Sequence, residues 1–300
     1  MRRARPMDPA AHPVLAILLP ALGACVVAVL ATVVVERLGG VAGGILSTVP
    51  TTIVPAAIGL HASAADDEAF RCAMCFVPVG ILLNAGYLLL WRIIPARIGM
   101  RSHRHLLATT VTLALAAWLA AASAAVWAHH AWAPDAGQSL AIGLAAFVAG
   151  ALLGIAANRV PHPAPAGRRR VGPAVLALRG VAAGAAIAVA LVLARSGDPI
   201  AGGIASVFPA IFTAIMVATW LAQGAQVPTG AVGPMMLGTL SVSAYALLSA
   251  ALIPRLGVVA GSAACWAAAV LFVNVPAYAW LRRVRARHDR RTAAAGAGAP

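Results

Sequence analysis

The amino-acid sequence predicts an all-α polytopic membrane protein of about nine transmembrane helices, built as two inverted-topology repeats of about four helices joined by a connector helix. Three observations carry this expectation. Of 300 residues, 62% are hydrophobic and only 10% charged, and the mean hydropathy is +0.90; a water-soluble domain runs at about 45–50% apolar and about 25% charged. The apolar residues are gathered into runs long enough to cross a bilayer. A Gly/Pro-rich motif in the first half recurs in the second.

A bilayer-spanning helix takes about 20 mostly apolar residues. Segments of that kind lie at 13–35, 41–60, 72–94, 105–128, 138–158, 173–194, 199–222, 230–253 and 257–281. Trp91, Trp127, Trp132, Trp220, Tyr278 and Trp280 fall near segment ends, where amphipathic rings prefer to sit. The first segment has a basic start and a lipobox-like Leu22-Gly23-Ala24-Cys25. Its apolar run continues to Val35, beyond the roughly 7–15 residues of a cleaved signal, so it reads as a retained helix.

The formal net charge is +14, and all 22 basic residues are Arg. They cluster at segment ends: Arg2, Arg3 and Arg5; Arg92, Arg97, Arg101 and Arg104; Arg168 to Arg170; and six between Arg282 and Arg291. This pattern orients helices by the positive-inside rule. It does not make a nucleic-acid-binding face, which needs a folded polar domain to present it. Nine spans put the loops 95–104 and 159–172 and the tail 282–291 inside, with Asp66, Asp67 and Glu68 and the Arg-free loop 129–137 outside. Arg2, Arg3 and Arg5 then lie outside, against the rule. If segment 41–60 dips in and returns, eight spans remain and the conflict vanishes.

Residues Ala42 to Pro50 and Ala201 to Pro209 match at six of nine positions, 159 residues apart. Arg37 and Gly39 precede the first copy as Arg195 and Gly197 precede the second. Gly80, Tyr87, Arg97 and Gly99 align with Gly238, Tyr245, Arg255 and Gly257, 158 residues further on. Residues 13–128 form the first repeat and 173–281 the second, with 129–172 as connector helix and basic loop. The basic stretches 1–12 and 282–300 are tails, the latter expected to be disordered. Four spans plus one connector make the second repeat enter the membrane from the opposite face.

Gly and Pro interrupt the apolar runs most in the two copies. Pro removes a backbone donor and blocks the carbonyl one turn earlier, so each helix should break there. Freed polar backbone survives in hydrocarbon only where protein or a water-lined cavity satisfies it, and matched broken segments are the best sequence pointer to a mid-membrane binding site. The candidate substrate-binding residues are Gly43, Gly44, Ser47, Thr48, Pro50 and Thr51 in the first copy and Gly202, Gly203, Ser206, Pro209 and Thr213 in the second. Asn84, Tyr87 and Tyr245, on the paired third and eighth segments, are further candidates. The alternative reading of the same glycines and serines is close helix packing. Arg179, just inside the sixth segment, is expected to snorkel outward. Glu36 and Asp198 are expected to pair with Arg37 and Arg195 at the rims.

Cys72-Ala-Met-Cys75 has metal-ligand spacing, and His61 lies shortly before it. There is no second such pair and both cysteines open an apolar helix, so no metal is assigned. Motifs for a nucleophile elbow, a zinc protease helix or a phosphate loop are absent. The sequence therefore points to neither an enzyme nor a cofactor. The expected function is secondary transport of a small neutral or weakly polar solute across the inner cell membrane, with the lipid bilayer as the other partner and the C-terminal tail in the cytoplasm. A non-transporting scaffold or lipid-binding component is the alternative, and a transition-metal transporter a third reading.

Overall fold

The computed structural model describes residues 13–38, 48–98, 102–132, 135–159 and 172–297, and every regular element among them is helical. The first half comprises α1 (Pro13–Leu38), α2 (Ile53–Ser63), α3 (Asp67–Arg97) and α4 (His103–Trp132), and α5 (Ala136–Ala157) follows. The second half comprises α6 (Pro173–Arg195), a short α7 (Pro199–Ala205), α8 (Ala210–Gln223) and α9 (Gln226–Gly238), which passes through Thr239 into α10 (Leu240–Leu256). It ends with α11 (Val258–Ala269), one π-helical turn (Val270–Asn274) and α12 (Val275–Ala297). Helix α12 continues through the Arg-rich stretch to Ala297.

Among the described residues seven stretches are long and apolar enough to cross a membrane: Asp67–Arg97, His103–Trp132, Ala136–Ala157, Pro173–Arg195, Pro199–Leu221, Pro228–Leu256 and Val258–Arg290. Two shorter apolar stretches, Val14–Leu30 within α1 and α2 itself, accompany them. All-helical structure is what hydrocarbon demands, because each backbone N–H and C=O must be satisfied within its own segment.

The acids are absorbed by helix starts. The Asp66 carboxylate accepts from Ala69 N at 2.8 Å and Asp67 and Glu68 sit in the first turn of α3, while Asp135 and Gln138 form a reciprocal capping box on α5. Carboxylates there satisfy open N–H groups and oppose the helix dipole.

Side-chain register fixes helix directions. Ala21 lies against Gly184 and Val29 against Gly180, so α1 and α6, the first helices of the two halves, pack antiparallel. Cys75 meets Gly143 and Arg92 reaches Ala157, so α3 and α5 run parallel. Leu247 meets Gly143, Leu237 meets Gly154 and Gly233 meets Asn158, so α9 and α10 run antiparallel to α5, and hence to α3. These seams are lined by Gly, Ala and Cys because small side chains let helices approach closely where no hydrophobic gain drives them together.

Burial separates centre from periphery. The span windows in α3 and in Pro228–Leu256 are each 67% buried, against 17% for α4 and 22% for α5. The outer faces carry exposed Leu119, Leu144, Val148, Leu152, Val181 and Phe272, as lipid-facing surfaces do. Phe70, Met74, Tyr245, Ile187 and Leu191 lie in one core cluster, and Tyr87, Trp91, Trp118, Met216 and Trp220 in another.

Candidate functional site

The second copy of the duplicated motif is broken in mid-run. Helix α7 ends at Ala205, residues 206–209 are non-helical, and α8 begins at Ala210 behind Pro209. In the first copy residues 48–52 are non-helical and α2 begins at Ile53. Gly43, Gly44 and Ser47 lie outside the described residues.

The two breaks line one partly open cavity of about 70 Å³. Thr48, Val49, Thr52 and Ile53 line it from the first break, and Ser206, Val207, Phe208, Ala210, Ile211 and Phe212 from the second. Ile81 and Asn84 of α3, Ala183, Ala186 and Ile187 of α6, and Thr239 and Val242 complete the wall. Thr48, Asn84 and Ser206, three of the candidate residues, therefore line one cavity. None of the lining residues carries a formal charge.

Each break leans on the long helix of the other half. A Cβ on Gly80 of α3 would strike Val207 Cγ2, and a Cβ on Gly238 would strike Thr48 Oγ1. Gly80 and Gly238 are aligned positions, as are Thr48 and Val207, so the two contacts are counterparts. The freed carbonyls are met in the same crossed fashion. Asn84 Nδ2 donates to Val207 O at 2.8 Å, and Ser241 Oγ shares its one proton between Gly238 O at 2.8 Å and Thr48 O at 3.1 Å. Asn274, in the π-helical turn, donates to Gly238 O at 3.4 Å. Such turns often mark positions where a helix accommodates a specific polar demand.

Other candidates sit close by without lining the cavity. Thr213 Oγ1 donates to Pro209 O at 2.7 Å, so the Tyr87 hydroxyl is the donor in its 2.8 Å bond to Thr213. Thr51 Oγ1 donates to Val49 O at 3.3 Å, and Pro50 is buried. Gly202 and Gly203 are packing positions: a Cβ would lie 2.8 Å from Ala190 O and 2.6 Å from Ala73 O, respectively. Tyr245, counterpart of Tyr87, is buried in the core among α3, α10 and α11.

Thr239, which lines the cavity one residue after Gly238, was missed, and its only sequence signal is that alignment with Gly80. Arg92 had been read as a topology charge alone; its Nε donates to Thr229 O at 2.9 Å and its Nη1 to Ala157 O at 3.0 Å, tying α3 to the ends of α5 and α9. Arg179, expected to reach outward, is 6% exposed. Asp198 meets His130 Nε2 at 3.0 Å and caps Ala201 N at 2.9 Å; the Glu36 side chain lies outside the described residues. His61 packs edge-on to Phe70, and among the described residues no three His, Cys, Asp or Glu side chains gather as metal ligands.

Fold and cavity together define a multi-pass helical membrane protein with a partly open, uncharged cavity lined by two non-helical stretches. Comparisons with protein-family models, curated proteins and solved structures found no match to the chain.

Proposed function

We propose that this protein is a secondary transporter that moves a small neutral or weakly polar solute by alternating access at the cavity between its two halves. The observation that carries the reading is that two non-helical stretches, 48–52 and 206–209, at corresponding places in two matching sequences, line one cavity. Discontinuous helices at matched positions are how carriers of this kind build a midplane site. The uncharged lining favours a neutral solute, since an ion would be desolvated without a counter-charge.

In this reading the halves are inverted repeats, which the antiparallel packing of α1 with α6 and the opposed directions of α3 and α10 support. The seven long stretches, α1 and the segment 41–60 make nine spans. Contacts between helix ends favour that order: His130 and Asp198 meet at ends assigned outside, and Arg92, Ala157 and Thr229 at ends assigned inside. The membrane is the inner cell membrane, the Arg-rich tail is cytoplasmic, and neither catalysis nor a cofactor is required.

The test is a single cysteine at Ala186, on the cavity wall, with Cys25, Cys72, Cys75 and Cys265 replaced by alanine. In oriented vesicles a small membrane-impermeant thiol reagent is expected to label it from either face. Labelling from neither face would sink the carrier reading and leave a non-transporting scaffold.

A further inference from the structure

The cavity holds two sets of hydrogen-bonding groups with opposite character, and their arrangement restricts what fits. Helices α2 and α8 both start at its wall, Ile53 and Ala210 being their first residues and cavity-lining ones. The first N–H groups of a helix have no partner inside it. Neither start is capped by a side chain: Thr52 makes no capping bond, and Pro209 has no group to make one. Ala210 N already bonds Phe208 O at 2.8 Å and Pro55 has no N–H, so the first-turn donors that their helices leave over are Ile53 and Val54 on α2 and Ile211 and Phe212 on α8, with a partial positive charge at each start.

Three of the polar side chains offer the opposite, while the Thr48 and Thr52 hydroxyls on the same wall can donate or accept. Asn84 lines the cavity and is 1% exposed; its Nδ2 is held by Val207 O, and its buried Oδ1 has no partner among the described residues. Ser206 gives its only proton to Gly203 O at 2.6 Å, and Thr239 gives its own to Met236 O at 3.0 Å. Both hydroxyls present lone pairs alone. A buried acceptor without a partner costs about 1–3 kcal/mol, so Asn84 Oδ1 is poised to receive a donor.

We propose, resting on the carrier reading above, that the solute is a small uncharged amide of the urea or acetamide class, its carbonyl oxygen facing the starts of α2 and α8 and its N–H groups facing Asn84 Oδ1, Ser206 Oγ and Thr239 Oγ. A bare anion would meet the helix starts but repel the three acceptor oxygens. A cation would meet the oxygens but face two positive helix ends with no carboxylate on the wall. A hydrocarbon would leave both sets unpaired. The volume of about 70 Å³ equals about five water-sized centres, room for a solute of a few heavy atoms.

The experiment uses the Ala186→Cys protein in vesicles and reads its labelling rate. Urea and acetamide at tens of millimolar are expected to slow labelling in a saturable manner, while formate, chloride and methylammonium at equal concentration leave it unchanged. Thr239→Val, which removes one acceptor and leaves the Asn84–Val207 bond intact, is expected to raise the half-protecting amide concentration about tenfold, the order of one lost hydrogen bond. Asn84→Leu is expected to abolish protection, and Thr239→Val keeps the proposal testable should that variant fail to fold. Protection by formate or chloride, or by methylammonium, would overturn the proposal in favour of an anion or cation site. No protection by any probe, with labelling still entering from both faces, would overturn the solute class and leave the carrier reading standing. Labelling from neither face would remove both.

Discussion

Gly203→Ala tests how closely the broken segment is pressed against the first half. In α7 a Cβ at this position would lie 2.6 Å from the backbone oxygen of Ala73 on α3, where ordinary contact begins near 3.4 Å, so the two must part by about 0.8 Å. The obstacle is backbone in the central helix, which cannot swing aside as a long side chain would. Overpacking of that kind costs up to about 3 kcal/mol, and replacing a helical glycine by alanine returns about 1 kcal/mol. The net is a destabilisation of about 2 kcal/mol. At roughly 2–4 °C per kcal/mol, the thermal midpoint in detergent should fall by about 4–8 °C. Gly86→Ala, on α3 itself, supplies the control: nothing lies within 4 Å of its Cβ, so the midpoint should hold or rise by about 1–3 °C. Circular dichroism melts of the two variants beside the parent decide the matter. A Gly203→Ala protein as stable as the parent, with Gly86→Ala less stable, would refute the reasoning about α7 and α3.

Three further outcomes follow from bonds already described. Ser241→Ala leaves the Thr48 carbonyl without its cross-half donor and should cost about 1–3 kcal/mol, read as a lower midpoint; an unchanged melt would show that the bond contributes nothing. Arg92→Met leaves the Ala157 and Thr229 carbonyls without their guanidinium and should cost about 1.5–3 kcal/mol, with Arg92→Lys intermediate in the same melts. His130→Ala should cost well under 1 kcal/mol, because its pair with Asp198 is largely solvated. Asp198→Ala should cost about 1 kcal/mol more, since it also uncaps α7; equal effects of the two would contradict the capping role.

Much of the architecture was legible because hydrocarbon leaves few options. Apolar runs of sufficient length must be helices, but Gly and Pro alone do not locate a break: the run at Pro209 is interrupted, whereas Pro78, Pro234 and Pro254 lie inside helices. Of the duplicated residues, Thr48 and Ser206 line the cavity. What was not legible is side-chain direction. Gly202 and Gly203 carry no mark that separates a site residue from a packing one; only the positions of Ala190 and Ala73 decide it. Arg92 and Arg97 look alike in sequence, yet only Arg92 lies where α5 and α9 end beside α3. Asn84 stood out as a polar residue in a span, but its division into a bonded amide nitrogen and an open oxygen depends on Val207, 123 residues away.

The central claim is that two matching halves enter the membrane from opposite faces and share one cavity. Single cysteines at Ala65 and Ala225, in the turns that follow α2 and α8, place corresponding points of the two halves. Labelled with an impermeant thiol reagent in oriented vesicles, the two are expected on opposite faces. Both on the same face would contradict the inverted arrangement, and with it the alternating movement built on it.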